Sequence, residues 1–449
     1  MTSVTVVGAS IAGLLTARVL SDLVDEVTLL EREHLDDDAA PRGHVPQGRH
    51  LHLLLSAGLD LLQAWFPGIG DELEARGAVR VDGTRAWVFQ SGGYRAQGNW
   101  GRPVLSLTRP LLEQVVRRRV SALPAVTLES GVVVDRVDVR DGAVHGVGVA
   151  GLPRPADLVV DCSGRSSRIV HQLASSGVLD PPVSRVPIDC AYTSGFLPRS
   201  QDDLDGSFLV VGTTPPESYR AGALLPVEGE RWMVTLAGVH GDVPGTSDDA
   251  VLAFARSLLS PGVAQVIERA GPLEAVASYR FPSSQRRHYE KVPTLLRGLV
   301  TLGDAACSFN PVYGQGMACA ALQAQALGVT VRELGVLSPD LPRRFHRRAA
   351  RVVDAPWAIA VGADFLHPDT VGPKARGTDL ANRYTQRLVR ATHTSLPLAR
   401  TFNRVVNLAD PPTALARPAV AARVLAASLP GRRPAEPLAH PRVGPAGAP

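Results

Sequence analysis

Lysine is almost missing from this chain: of its 47 basic residues only Lys291 and Lys374 are lysine, and the rest are arginine. Those arginines are scattered rather than blocked, and a net charge of +4 over 449 residues is small. That distribution argues against a nucleic-acid footprint. Cysteine is scarce as well. Cys162, Cys190, Cys307 and Cys319 form no C-x-x-C pair and no His/Cys metal spacing. Reduced thiols in the cytoplasm are therefore expected, rather than a disulfide framework. Long apolar runs are lacking too. No uncharged stretch reaches the roughly 18 residues that a membrane-spanning helix needs. The start, "MTSVTVVGASIAGLL", has no basic leader or cleavage pattern, so a soluble, non-exported protein is expected.

What is present suits a large globular fold. Hydrophobic residues make up 45% and charged residues 20%, and the length exceeds what one core usually holds. Val4–Val7 is a β-branched run, "GASIAG" follows it, "LLTARVLSDL" fits a helix and "EVTLLE" at Glu26–Glu31 fits a second strand. The stretch from Leu51 to Phe66 reads as a helix, as does "RPLLEQVVRRRV" from Arg109. "VTLESGVVVDRVDVRDGAVHGVGV" reads as a small hairpin sheet around Asp141-Gly142, and "ADLVVDCSG" as a buried strand. From about Val183 strands alternate with turn signals, including a hairpin at Glu228-Gly229. "GLVTLGDAA" returns as an apolar strand, and helical periodicity dominates from Ala318. Beyond Leu429 the Pro, Gly, Ala and Arg composition predicts a disordered tail.

Three motifs carry chemistry. In Gly8-Ala9-Ser10-Ile11-Ala12-Gly13, Gly8 permits a tight turn, Ser10 is small enough for close approach and Gly13 lets helix and strand pack. The helix N-terminus then faces a pyrophosphate, with Ala12 and Arg32 beside the site and Glu31 placed for a ribose. A second match, Gly146 to Gly151, precedes no helix and reads as a hairpin turn. The other two motifs are "DLVVDCSGRSS", from Asp157 to Ser167, and "LGDAACSFNPVYGQGM", from Leu302 to Met317. In the last, Asp304 stands at a strand end. Gly314 and Gly316 leave backbone bare beside a helix that begins near Met317 and directs its positive end at whatever binds there.

Together and in this order, the motifs resemble the fingerprints of FAD-dependent monooxygenases of the para-hydroxybenzoate hydroxylase fold, over residues 4 to 330. Arg109, in "SLTRPLLEQ", matches an arginine beside the cofactor in that family. Arg49, in "PQGRHLHLL", resembles its arginine loop, and Arg42 competes for that role. More narrowly, "HVPQGRHLHLLLSAG", "FNPVYGQGM" and "DAPWAIAVGADF" resemble the flavin epoxidases of bacterial polyether and related polyketide pathways.

The resemblance implies an α/β chain, α+β overall. It has a Rossmann-like FAD-binding domain built from 1–75, 106–180 and 281–330. A substrate-side segment at 76–105 and a β-sheet substrate domain at 181–280 are inserted, and C-terminal helices fill 331–429 before a tail at 430–449. It places Asp304 on the ribityl chain and Pro311, Gly314, Gly316 and Met317 beside the flavin ring. NAD(P)H is expected as electron donor, directly or through a flavin reductase, and dioxygen and a bulky apolar small molecule as partners. In such enzymes reduced FAD gives a flavin 4a-hydroperoxide, whose outer oxygen is delivered to the substrate. Epoxidation by it needs no side-chain nucleophile, and no catalytic side chain is assigned. His50 and Tyr313 lie near motifs, with structural roles expected of both. An aromatic hydroxylase and a prenyl-chain reductase remain the alternatives. A halogenase would use an early lysine and a "WxWxI" motif, which this chain lacks.

Overall fold

The computed structural model describes residues 1–200, 202–427 and 440–443, and at its centre is a five-stranded parallel sheet. In spatial order its strands are Leu299–Thr301, Leu158–Asp161, Ser3–Val7, Glu26–Glu31 and Val126–Ser130. Successive residues such as Leu158, Val159 and Val160 are all fully buried. Both faces are therefore covered, which is why these strands read as continuous apolar runs instead of alternating ones.

The first strand hands the chain to the helix Ile11–Leu20 through a turn that two glycines permit. Gly8 sits at φ +100°, and a Cβ there would lie 2.7 Å from the Cys162 carbonyl oxygen. A Cβ on Gly13 would lie 1.8 Å from the Gly8 carbonyl oxygen. Helix and strand thus meet backbone to backbone. The long helix Gly316–Leu334 packs on the same layer, with Leu327 and Val331 joining Leu14, Leu15 and Leu29 in one core.

The second layer is an eight-stranded sheet. Its order is Cys307–Ser308, Glu274–Arg287, Val183–Pro198, Arg231–Gly238, Arg220–Val227, Leu209–Val211, Trp87–Gln90 and Gly93–Tyr94. Its neighbours run antiparallel except the parallel pair Leu209–Val211 and Trp87–Gln90. The sheet is wider than 181–280: it recruits strands from the 76–105 segment and an edge strand just after Asp304. Helices Asp248–Arg256 and Gly262–Ala270 cover one face, where Phe254, Val263 and Ile267 pack on Leu224, Trp232 and Leu236.

Two local expectations need correction. The helix predicted from Leu51 begins only at Ser56, because Leu53–Leu54 pair as a strand with Leu105 and Ser106; tertiary pairing overrides the local apolar pattern. Val126–Ser130 belongs to the edge of the parallel sheet, not to the small hairpin sheet, which consists of Val134–Arg140, Ala143–Val149 and Leu152–Pro155. The helices Leu341–Asp364, Thr378–Thr392, Leu396–Val406 and Pro418–Ala427 follow. Most of the stretch expected to be disordered lies outside the described residues. Within it, Arg442 accepts a hydrogen bond from the Leu204 N–H at 2.8 Å. Among the described residues no helix is long and apolar enough to cross a membrane.

The glycines separate fold from site. Gly13→Ala should destabilise the chain by about 3 kcal/mol or more, since the clash is with backbone that cannot turn away. Gly316→Ala meets nothing within 4 Å and should leave the melting temperature unchanged. Thermal denaturation of the two variants checks both outcomes.

Candidate active site

A cavity of about 2050 Å³ opens at the C-terminal ends of the parallel strands, where ligands bind in open α/β sheets. The eight-stranded sheet and the C-terminal helices form its other walls. Drug-sized ligands fill about 300–1,000 Å³, so this space can hold a dinucleotide and a second molecule together.

Its polar end is built around one carboxylate. Glu113, on the helix Arg109–Ser121, is 3% exposed. It accepts from the Ser10 hydroxyl at 2.6 Å and from Arg109 at 2.8 Å, and pairs with Arg42 at 3.4 Å. Burial works to raise its pKa, but the charges of Arg109 and Arg42 prevail and hold it below the usual value. Arg109 also donates to the Ser10 hydroxyl at 2.7 Å and to the Gln47 side chain at 3.0 Å, and Gln47 donates to Asp304 at 3.2 Å. Arg42 spans further, pairing with Glu31 at 2.6 Å and Glu33 at 3.1 Å. Glu31 in turn accepts the Ala9 and Glu33 N–H groups at 2.8 and 3.0 Å. Ser10 in the usual glycine position is therefore a structural partner of Arg109 and Glu113.

Gly8, Ser10, Ala12, Glu31, Arg32, Arg109, Asp304, Pro311, Gly314, Gly316 and Met317 all line the cavity. Gly13 lies behind it, at the helix–strand contact. Arg49 is exposed and outside the lining residues, whereas Arg42 is inside. The loop turns at the short helix Pro46–Arg49, and that orientation is not legible from the spacing of the two arginines. Glu113 and Gln47 were missed by the sequence reading. Gln47 lies within "PQGRHLHLL" and Glu113 within "SLTRPLLEQ", but their roles depend on partners far away in the chain.

The middle motif is a brace. Asp161, fully buried, accepts from the Ser163 N–H and hydroxyl at 3.0 and 2.6 Å and from the Ser167 hydroxyl at 2.6 Å. This fixes the turn whose Cys162, Ser163 and Gly164 face the cavity. Arg165 reaches across to the Ser283 carbonyl at 2.7 Å and the Ser308 hydroxyl at 2.6 Å, tying the two sheets together.

The turn Pro311–Tyr313 has a brace of its own. Asp364, 1% exposed, accepts from the Asn310 amide at 2.9 Å and from the Tyr313 hydroxyl at 3.3 Å. Burial pushes its pKa up to about 7, with those hydrogen bonds only partly offsetting it. Just past the short helix Pro46–Arg49, His50 bonds Ser194 at 2.8 Å, Ser194 bonds Thr235 at 2.6 Å, and Tyr192 meets the His50 ring edge-on at 4.4 Å. Burial, helped by the Arg49 charge, lowers the His50 pKa to about 4.

FAD fits these residues. The helices Ile11–Leu20 and Gly316–Leu334 present first turns without a side-chain cap, leaving N–H groups for anionic oxygens. A Cβ on Gly314 or Gly316 would meet no atom within 4 Å, so bare backbone faces the space. Asp304 and Glu31 offer carboxylate oxygens to sugar hydroxyls at two separated points.

The fold is that of FAD-dependent monooxygenases. The structure resembles PqsL, a probable FAD-dependent monooxygenase from Pseudomonas aeruginosa, with TM-score 0.64 and 15% identity over 81% of this chain and 97% of that one. It also resembles the flavin-dependent brominase Bmp2, with TM-score 0.64 and 14% identity over 89% of this chain and 94% of that one. The chain belongs to the same family as Protein Rv3254 of Mycobacterium tuberculosis, to which it is 32% identical over 424 residues, 90% of this chain and 89% of that protein. It is 28% identical to the kynurenine 3-monooxygenase of Salinispora arenicola over 350 residues, 70% and 69% of the two chains. No protein-family model matches.

Two outcomes are expected from the acids. Asp304→Ala should weaken FAD binding by about 1.5–3 kcal/mol, the worth of hydrogen bonds to a charged group, without lowering thermal stability; flavin retention on dilute gel filtration reads it. Asp364 binds its proton more tightly in the folded state than in the unfolded chain. Its contribution is therefore present at low pH and lost as pH rises toward about 7. Asp364→Asn has no proton to lose. Urea unfolding from pH 4 to pH 8 should show the parent losing stability relative to this variant across that window.

Proposed function

We propose that this protein is an FAD-dependent monooxygenase that inserts one oxygen atom from dioxygen into a carbon–carbon double bond of a large apolar molecule, a polyketide-like natural-product intermediate. The observation that carries the reading is the cavity's asymmetry. One end holds the Glu113 network with Glu31 and Asp304. The other is walled by apolar side chains, among them Leu53, Val88, Phe208, Val210 and Leu225. When bound, FAD supplies oxygen activation, with electrons from NAD(P)H directly or through a reductase.

The chain's own residues supply position and dryness. Gly8, Ser10, Glu31, Arg42, Arg109 and Asp304 hold the dinucleotide. The Pro311–Gly316 backbone, held from behind by Asp364, forms the wall beside the ring. Apolar burial at about 25 cal/mol per Å² then retains a long substrate without many polar anchors, and a bulky apolar substrate displaces water from the walls it covers. The phrases shared with the polyether epoxidases support alkene oxidation. His50 adds to that support: a neutral imidazole with a pKa near 4 is a weak base at neutral pH.

A second reading has one observation in its favour. His50 and Thr235 line the cavity and are bridged by the buried Ser194 hydroxyl behind them, a hydrogen-bonded chain that suits proton removal from a phenol in an aromatic hydroxylase. Turnover of polyenes and, in parallel, of phenols under labelled dioxygen separates the two. Epoxidation puts one labelled atom in an epoxide or its ring-opened ether, and His50→Ala slows it by much less than the ~10²-fold that loss of a general base costs. A label in a phenol, with His50→Ala inactive yet still yellow, establishes the hydroxylase instead.

A further inference from the structure

Arginines recur around the cavity, and the well-buried ones at its polar end are committed. Arg42 is bound to Glu31, Glu33 and Glu113, Arg109 to Glu113, and Arg165 to Ser283 and Ser308. Arg95 differs. It lines the cavity, is only 7% exposed, and has its guanidinium carbon 5.1 Å from the Trp100 ring centroid and 5.0 Å from that of Phe402. Its backbone N–H bonds the Val88 carbonyl. Its guanidinium has neither a hydrogen-bond acceptor nor a carboxylate partner among the described residues.

A buried cation without a counter-ion is costly. Two aromatic faces recover part of that cost, and they leave the N–H edge of the guanidinium unspent. Burial alone lowers its pKa, to about 10, and no acid opposes the shift. The position matters as well. Arg95 follows Gly93–Tyr94, the edge of the eight-stranded sheet opposite Cys307–Ser308, which adjoins Asp304. It therefore stands at the substrate end and away from the dinucleotide's phosphates.

We propose that Arg95, clamped between Trp100 and Phe402, binds a carboxylate at one end of the substrate, so that the molecule oxygenated is a long apolar acid rather than a neutral hydrocarbon. Guanidinium and carboxylate match as a planar, two-point pair. Fixing one end of a flexible chain selects which double bond reaches the ring wall. The proposal rests on the monooxygenase reading above for its substrate, but its test does not require turnover.

The FAD-loaded protein is titrated with 10-undecenoate and with its methyl ester, with binding read by calorimetry. The acid should bind at least ~10-fold more tightly than the ester, as expected for a charge-assisted hydrogen bond. Arg95→Met, which replaces the stem with an apolar chain, should erase that preference and leave ester affinity unchanged. Equal affinities in the parent, binding of neither probe, or a preference that survives Arg95→Met overturns the proposal. Should Arg95→Met fail to fold, the parent's acid-to-ester ratio alone decides. Failure of the oxygenation reading has a different signature: acid-selective binding with no epoxide formed.

Discussion

The buried carboxylate of Glu113 is the interaction on which the cavity's polar half depends. It sits between two guanidinium groups from separate parts of the chain and a hydroxyl from the first helical turn. Remove its charge and Arg42 and Arg109 become buried cations with less to neutralise them, which costs more than any single hydrogen bond. The arginines carry its influence outward: Arg42 to Glu31 at one strand end, Arg109 through Gln47 to Asp304 at another. Two acids separated by 273 positions in sequence are thereby held by one set of charges. Much of the positioning is done by the chain's own charges, the condition under which polar groups bind with little reorganisation.

The opposite half of the cavity works by other means. Its walls are sheet and helix surfaces held by packing, with Trp100, Phe208 and Leu225 in one core. Of the polar groups in the cavity's surroundings, His50, Ser194 and Thr235 are satisfied among themselves, whereas the Arg95 guanidinium meets two aromatic rings instead of an acceptor. One half selects by donor geometry and charge, the other by shape and apolar area. Arg165 and the strand Cys307–Ser308 join the halves, so their spacing is set by hydrogen bonds and not by a loose linker.

Features that a short segment determines were readable in the sequence. Gly13 is demanded by the Gly8 carbonyl five residues before it and Gly8 by its own positive φ, and the Glu228-Gly229 and Asp141-Gly142 turns carry their own backbone requirement. Features that depend on distant partners were not. The choice between Arg42 and Arg49 is made by three acids, two of them upstream and one at position 113. Leu53 and Leu54 leave the helical pattern because a strand at 104–106 offers them hydrogen bonds. Asp161 reads only as part of the buried strand "ADLVVDCSG", and its part in bracing a turn appears only once Ser163 and Ser167 fold back on it. Arg95 stands in a stretch with no motif at all, and only its burial between two rings, one of them over 300 residues later, singles it out.

The order of the parallel sheet bears on how the protein is made. The strand Ser3–Val7 is central and among the first to emerge, yet its neighbour Leu158–Asp161 comes about 150 residues later and the edge Leu299–Thr301 later still. At ~5–20 residues per second, the ribosome needs tens of seconds between the first strand and the last. Throughout that time the opening β-α-β unit exposes apolar surface that only later segments cover, a liability typical of non-local pairing. Asp304 and the helix from Gly316 appear after two-thirds of the chain. The cofactor cradle is thus completed late, and flavin supply can act on yield during biosynthesis as well as on activity afterwards.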